Sequence, residues 1–129
     1  MSIFDFLKPF ISERFFERHK AGQKEGAGLF LRLLGQYESQ LDEFRQVEFF
    51  FYTKSLGNAT SLRDDLLKLG YEIYGIEGSV KKRFSLMGVT CPMSLKDEDF
   101  RKWVEKMNEL GFINDCLFDG WGVLTRRQA

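Results

Sequence analysis

"QVEFFFYTK", residues 46–54, places four aromatic side chains in a row, and their order has no helical spacing. Aromatic residues favour the pleated, half-buried surface of a strand. Read as a strand, the segment sends Phe49 and Phe51 to one face and Phe50 and Tyr52 to the other. Neither face is polar. An antiparallel sheet with one side in water shows cleaner alternation than this, so both faces of the strand call for cover.

Downstream, Asn58 and Thr60 offer caps for a helix carrying Leu62, Leu66, Leu67 and Leu69, closed by Gly70. "YEIYGIE" (71–77) reads as a second strand. Gly78 and Ser79 begin a turn, with Lys81, Lys82 and Arg83 at its exit. "FSLMGVTCP" (84–92) reads as a third strand stopped by Pro92. Ser94 and Asp97 have the spacing of an N-cap with a carboxylate three residues on. Phe100, Trp103, Val104, Met107 and Leu110 mark the buried face of the next helix, with Gly111 at its end. "CLFDGWGVL" (116–124) supplies the fourth strand. The order from residue 46 is βαββαβ, which predicts an α+β, ferredoxin-like sandwich with antiparallel sheet order 4-1-3-2 and both helices on one face.

Upstream, ten of the fourteen phenylalanines fall within the first 51 residues, a load that must be buried. A short helix is expected over 11–20, after Pro9. "AGQKEGAG" (21–28), with Gly22, Gly26 and Gly28, reads as a flexible link. Phe30, Leu33, Leu34, Tyr37, Leu41 and Phe44 form one apolar stripe of a helix over 29–44. That helix is the expected cover for the second sheet face, with a partner subunit, and hence a homodimer, as the other candidate. The predicted organisation is an N-terminal helical extension (1–45), a core domain (46–125) and a short tail (126–129).

A length of 129 residues suits one domain. Lysine and arginine number 19, as do aspartate and glutamate, and this balance argues against a protein that coats nucleic acid or acidic membranes. No apolar run approaches the ~20 residues of a membrane span. The opening "MSIFDFLKPFISERFFERHK" has neither a basic start nor a small-residue cleavage site, so no signal peptide is read there. With two cysteines, the expected compartment is the cytoplasm.

The residues give little sign of catalysis. His19 is the one histidine, within "ERFFERHK", and reads as an exposed helix residue. Cys91 and Cys116 fall on strands separated by another strand, about 9–10 Å apart, against the ~5.5–6 Å that a disulfide favours. Both read as buried small hydrophobes. There is no CxxC, HExxH or phosphate-loop pattern. Asp64 and Asp65, and Asp97, Glu98 and Asp99, read as carboxylates near helix N-termini, where the helix dipole favours them. No catalytic residue, metal or cofactor is expected.

The remaining oddity is "DGWG", Asp119 to Gly122, inside a strand whose flanks are apolar. Glycine in a strand interior costs roughly 0.5–1 kcal/mol relative to alanine. By alternation, Gly120 and Gly122 share one side, while Asp119, Trp121 and Val123 share the other. Asp119 reads first as a structural anchor and second as a contact for a partner's arginine.

A βαββαβ pattern with "KLGYEI" (68–73) entering strand two and "DGWG" (119–122) in strand four resembles the RraB family, regulators of ribonuclease E activity. The resemblance covers roughly residues 46–124, with Phe118 where the family has tyrosine, and Val123-Leu124 in place of Thr-Tyr. It implies a non-catalytic, protein-binding inhibitor or modulator of an endoribonuclease, and hence of RNA decay. The surface expected to bind the partner comprises Asp119, Gly120, Trp121 and Gly122. The neutral charge keeps open an inhibitor or immunity-type protein for an unrelated target. Two further readings remain: an RNA-binding module using Phe50 and Tyr52, since RNA-recognition domains share this topology, and a small enzyme using Asp119 and Cys116. Direct nucleic-acid binding is the minority expectation, because strand three lacks the glycine-aromatic pattern of those domains.

Overall fold

In the computed structural model, residues 10–37, 44–78 and 83–124 are described. Their elements are α1 (Glu13–Tyr37), β1 (Phe44–Arg45), β2 (Val47–Thr53), α2 (Leu56–Lys68), β3 (Glu72–Gly78), β4 (Phe84–Val89), β5 (Met93–Ser94), α3 (Asp97–Ile113) and β6 (Leu117–Val123). The protein is α+β. One four-stranded sheet runs β3-β4-β2-β6 with every pair antiparallel, and β1 pairs with β5 in a two-stranded sheet. The Lys81–Lys82 turn exit, the tail with Arg126 and Arg127, residues 1–9 and the Leu41 part of the 29–44 helix lie outside the described residues.

The alternation of β2 sets the core. Val47, Phe49, Phe51 and Thr53 are buried, and Glu48, Phe50 and Tyr52 are half-buried. Phe49 and Phe51 pack with Leu62 and Leu66 of α2, Leu86 of β4, and Phe100, Val104 and Met107 of α3. Full burial of such side chains stabilises by about 1.5–3 kcal/mol each. Both helices therefore sit on the Phe49–Phe51 face.

Local boundaries differ from expectation in three places. The N-cap of α2 is Ser55, whose hydroxyl accepts from Asn58 N–H, so Asn58 and Thr60 lie inside the helix. Lys96 caps α3 without a side-chain bond, while the Ser94 hydroxyl accepts from Lys96 N–H. The third helix also continues past Gly111 to Ile113. Gly111 is required by close approach, since a Cβ there would stand 2.6 Å from the Cys116 carbonyl oxygen and 2.9 Å from the Phe51 ring.

The largest correction concerns the N-terminal third. The short helix, the glycine link and the start of the 29–44 helix are one continuous helix of 25 residues. Each glycine in a helix interior costs about 0.8–1.0 kcal/mol relative to alanine. Docking offsets this: Ala27 and Leu31 enter the main core, and Phe16 stacks on Phe112 at 4.2 Å between centroids. Polar bonds add to the α1–α3 contact, with Lys24 Nζ 2.8 Å from Glu105 Oε2 and Asn108 Nδ2 donating to Gln23 Oε1 at 2.6 Å. Among the described residues the helix packs on α3, and Phe16 in its first turn reaches the end of the second sheet face, where it packs with Leu117 and Tyr52. The described residues that lie against that face do so at its Tyr52 end, where Phe10 makes an edge contact and the Arg83 guanidinium stands 5.6 Å from the ring centroid.

Candidate functional site

The "DGWG" segment owes its geometry to a β-bulge. Phe118 pairs with Phe51 and Gly120 with Phe50, which leaves Asp119 as an extra residue in β6. A bulge of this kind resets the alternation behind it. Phe118, Trp121 and Val123 consequently lie opposite Phe51, Phe49 and Val47, on the helix-covered face. Gly120 and Gly122 lie opposite Phe50 and Glu48 on the other face. Asp119 does not share a side with Trp121 in the ladder, as strict alternation predicted; it is extruded and exposed.

Trp121 completes an aromatic cluster. Its ring lies 5.9 Å from Phe30, 5.6 Å from Phe100 and 6.1 Å from Phe118, measured between centroids. The indole is still partly exposed, and its N–H has no partner among the described residues. The Asp119 carboxylate likewise has no hydrogen bond or ion pair there, so it is not the structural anchor expected of it. An unspent donor and an unspent acceptor thus stand two positions apart on the surface.

The first half of α1 forms the opposite wall. A groove of about 430 Å³ runs between α1 and β6, lined by Gly22, Gln23, Gly26, Phe30, Asp119, Gly120 and Trp121. A Cβ at Gly22, Gly26 or Gly120 would meet nothing within 4 Å. The helix is pinned to the bulge by a shared acceptor. His19 Nε2 lies 2.7 Å from the Phe118 carbonyl oxygen, and Gln23 Nε2 donates to the same oxygen at 2.8 Å. His19 is therefore a half-buried strut and not the exposed helix residue expected. Neither it nor Gln23 was predicted to contribute here. The sequence did carry a signal, because positions 16, 19, 23, 27, 30 and 34 keep helical phase straight through the glycines. At the far end of β6, Arg45 Nε donates to Leu124 O at 3.2 Å, and Nη2 bonds the same oxygen.

The other candidates separate from this site. Cys116 is buried, and desolvation first, with the Asp115 charge adding, pushes its thiol up to about 12 against a bond involving Thr53. Cys116 is buried while Asp119 is exposed, which speaks against the Asp119–Cys116 enzyme reading. Cys91 is exposed, a correction to its expected burial, and its Sγ donates to the Gly70 carbonyl at 3.2 Å. Asp65 lies in the later part of α2, not at its start, and accepts from Asn114 Nδ2 at 3.0 Å. Asp97, Glu98 and Asp99 do occupy the first turn of α3. Among the described residues, no three or more His, Cys, Asp or Glu converge as metal ligands, and no helix is long and apolar enough to cross a membrane.

Comparison with known families bears directly on this geometry. The model of the RraB family, regulator of ribonuclease activity B, matches residues 28–123. The chain belongs to the RraB family. No curated individual protein matches it. The RraB match begins inside α1 and takes in Phe30 with the whole of "DGWG", while His19, Gln23 and Gly26 precede it. Membership sets the broad functional class as regulation of ribonuclease activity.

Proposed function

We propose that this RraB protein is a non-catalytic regulator that binds an endoribonuclease and alters RNA decay through contact alone. The binding surface is the β6 edge beside the α1–β6 groove, with Asp119 and Trp121 as contacts and, on the other face of the strand, Gly120 and Gly122 as the strip that lets a partner approach the backbone. We read the fold as the ferredoxin-like βαββαβ arrangement, order 4-1-3-2, over 46–125, with 1–45 as an extension and 126–129 as a tail. The protein acts in the cytoplasm, where such enzymes work. The observation that carries the reading is the bulge, which presents an unpartnered carboxylate beside a partly exposed tryptophan whose N–H is free among the described residues. Partly buried tryptophans at the centre of interfaces commonly contribute ~2 kcal/mol or more.

The test is titration of the intact endoribonuclease of the same cell with the full chain, followed by calorimetry and by RNA cleavage rate. Asp119→Lys and Trp121→Phe should each weaken binding about tenfold or more, equivalent to ~1.4 kcal/mol. Near-UV circular dichroism should show both variants folded. Unchanged affinity in both folded variants, or a cleavage rate indifferent to saturating protein, would refute the reading.

A further inference from the structure

We propose that α1 is a self-pairing helix: a second copy of this chain docks antiparallel along Phe15, Gly22, Leu29 and Leu33, with Arg18 of each copy against Glu25 of the other. This goes beyond the ribonuclease reading and does not depend on it.

A helix docked on one neighbour needs one apolar stripe, and α1 has two. The inner stripe carries Phe16, Ala27 and Leu31, which are buried. The outer one carries Phe15, Leu29 and Leu33, which are 48%, 55% and 47% exposed. At about 100° per residue, these three and the exposed Gly22 and Gly26 share a sector of about 60° on the helix surface. A Cβ at either glycine would meet nothing within 4 Å, so a second helix has room to come close at the middle of the stripe. Phe15 is already held in place for such a contact. Its ring stacks on His19 at 5.5 Å between centroids, and His19 is tied to the Phe118 carbonyl.

The stripe is symmetric about Gly22. Phe15 stands seven residues before it and Leu29 seven after. A twofold axis there sets each Phe15 level with Leu29 of the other copy, the reciprocal contact that an isologous dimer requires. Arg18 and Glu25 flank the stripe on the side away from β6, two turns apart on one ridge. In an antiparallel pair, like edges of the two helices meet. Each Arg18 then comes level with the other copy's Glu25 to within one residue's rise, about 1.5 Å.

Charge chooses the second copy as the occupant. Neither Arg18 nor Glu25 has an ion pair or hydrogen bond among the described residues. The helix itself offers none, because no oppositely charged residue stands three or four positions from either. A foreign helix would have to bring a carboxylate and a cation at this spacing; a second copy brings both in register by symmetry. Arg14 and Arg32 lie farther round the helix from the stripe, where their side chains turn to water.

The test is sedimentation velocity on the full chain at low salt, over a concentration series reaching the millimolar range, since one helix pair is a small interface. The wild type should pass from monomer to dimer. Arg18→Glu and Glu25→Arg should each weaken pairing about tenfold or more, because each reversal turns two attractions into repulsions. Arg18→Glu/Glu25→Arg, which exchanges the charges within one chain, should restore pairing. An equimolar mixture of the two single variants should pair more tightly than either alone. Gly22→Gln should abolish the dimer by holding the backbones apart, with the circular dichroism spectrum unchanged. A wild type that stays monomeric throughout would overturn the proposal, as would a dimer indifferent to both reversals or one that the exchange does not restore. A dimer dissolved by Phe50→Ser and not by Gly22→Gln would put the contact on the sheet and refute the role of α1. Pairing without ribonuclease binding would uphold this surface and refute the proposed target, and binding without pairing would do the reverse.

Discussion

The carbonyl of Phe118 takes hydrogen bonds from two side chains one helical turn apart, and this shared acceptor makes a sharp prediction. Gln23 donates to it at 2.8 Å and also accepts from the buried Asn108 amide at 2.6 Å. Two neutral bonds at about 1 kcal/mol each put Gln23→Ala near ~2 kcal/mol. His19, at 2.7 Å, supplies the other contact, and His19→Ala should cost about 1 kcal/mol. Each single variant leaves the oxygen one partner. The double variant leaves none and adds the cost of an unsatisfied acceptor at a packed interface, about 1–3 kcal/mol. The sum is therefore exceeded, and the double variant should lose about 4–6 kcal/mol. Urea unfolding of all four proteins measures this, since an m-value of ~1–3 kcal/mol/M turns such differences into midpoint shifts that are easily resolved. A double variant equal to the sum of the singles within ~0.5 kcal/mol would show independent bonds, and the account of α1 as a clamp on the bulge would be wrong.

Three further outcomes follow from the same packing. Gly111→Ala should destabilise by about 1–3 kcal/mol in urea, because its Cβ meets the Cys116 carbonyl, whereas Gly22→Ala should stabilise by about 0.5–1 kcal/mol. Glu105 is held below its ordinary value by the Lys24 hydrogen bond first, then by the charges of Lys24 and Lys20. A lowered folded value means that its contribution is complete above the unfolded value and is lost as pH falls through the folded one, so Glu105→Gln should show a shallower acid decline in thermal melts. Iodoacetamide at mildly alkaline pH should label Cys91 in the native protein and reach Cys116 only after denaturation, as read by peptide mass mapping.

The strands of the main sheet and the two helices behind it were legible because each carries a periodicity that burial imposes directly. Phe49 and Phe51 face the core as alternation demands, and Leu62, Leu66, Phe100 and Val104 follow the helical stripe. The N-terminal helix was hidden by the weight given to its glycines. Local propensity marks Gly22 and Gly26 as breakers, but the decision belongs to Phe16, Ala27 and Leu31, which only tertiary contact can weigh. β1 and β5, at two residues each, are too short for any period to register. At the candidate site, "DGWG" announced something irregular without saying what. Counting by twos from Asp119 assumed an unbroken ladder, and one extruded residue suffices to reverse which side the charge belongs to. His19 was passed over for the same reason as the helix that carries it.

Asp119 lies outside the ladder's count. Strike it out, and Phe118, Gly120, Trp121, Gly122 and Val123 run inward and outward by turns in unbroken sequence. The interior is accordingly indifferent to which side chain occupies that position. A protein whose task is to be recognised has here a spare letter on its edge, one that descent can rewrite to suit a changing partner while the spelling of the core stays as it is.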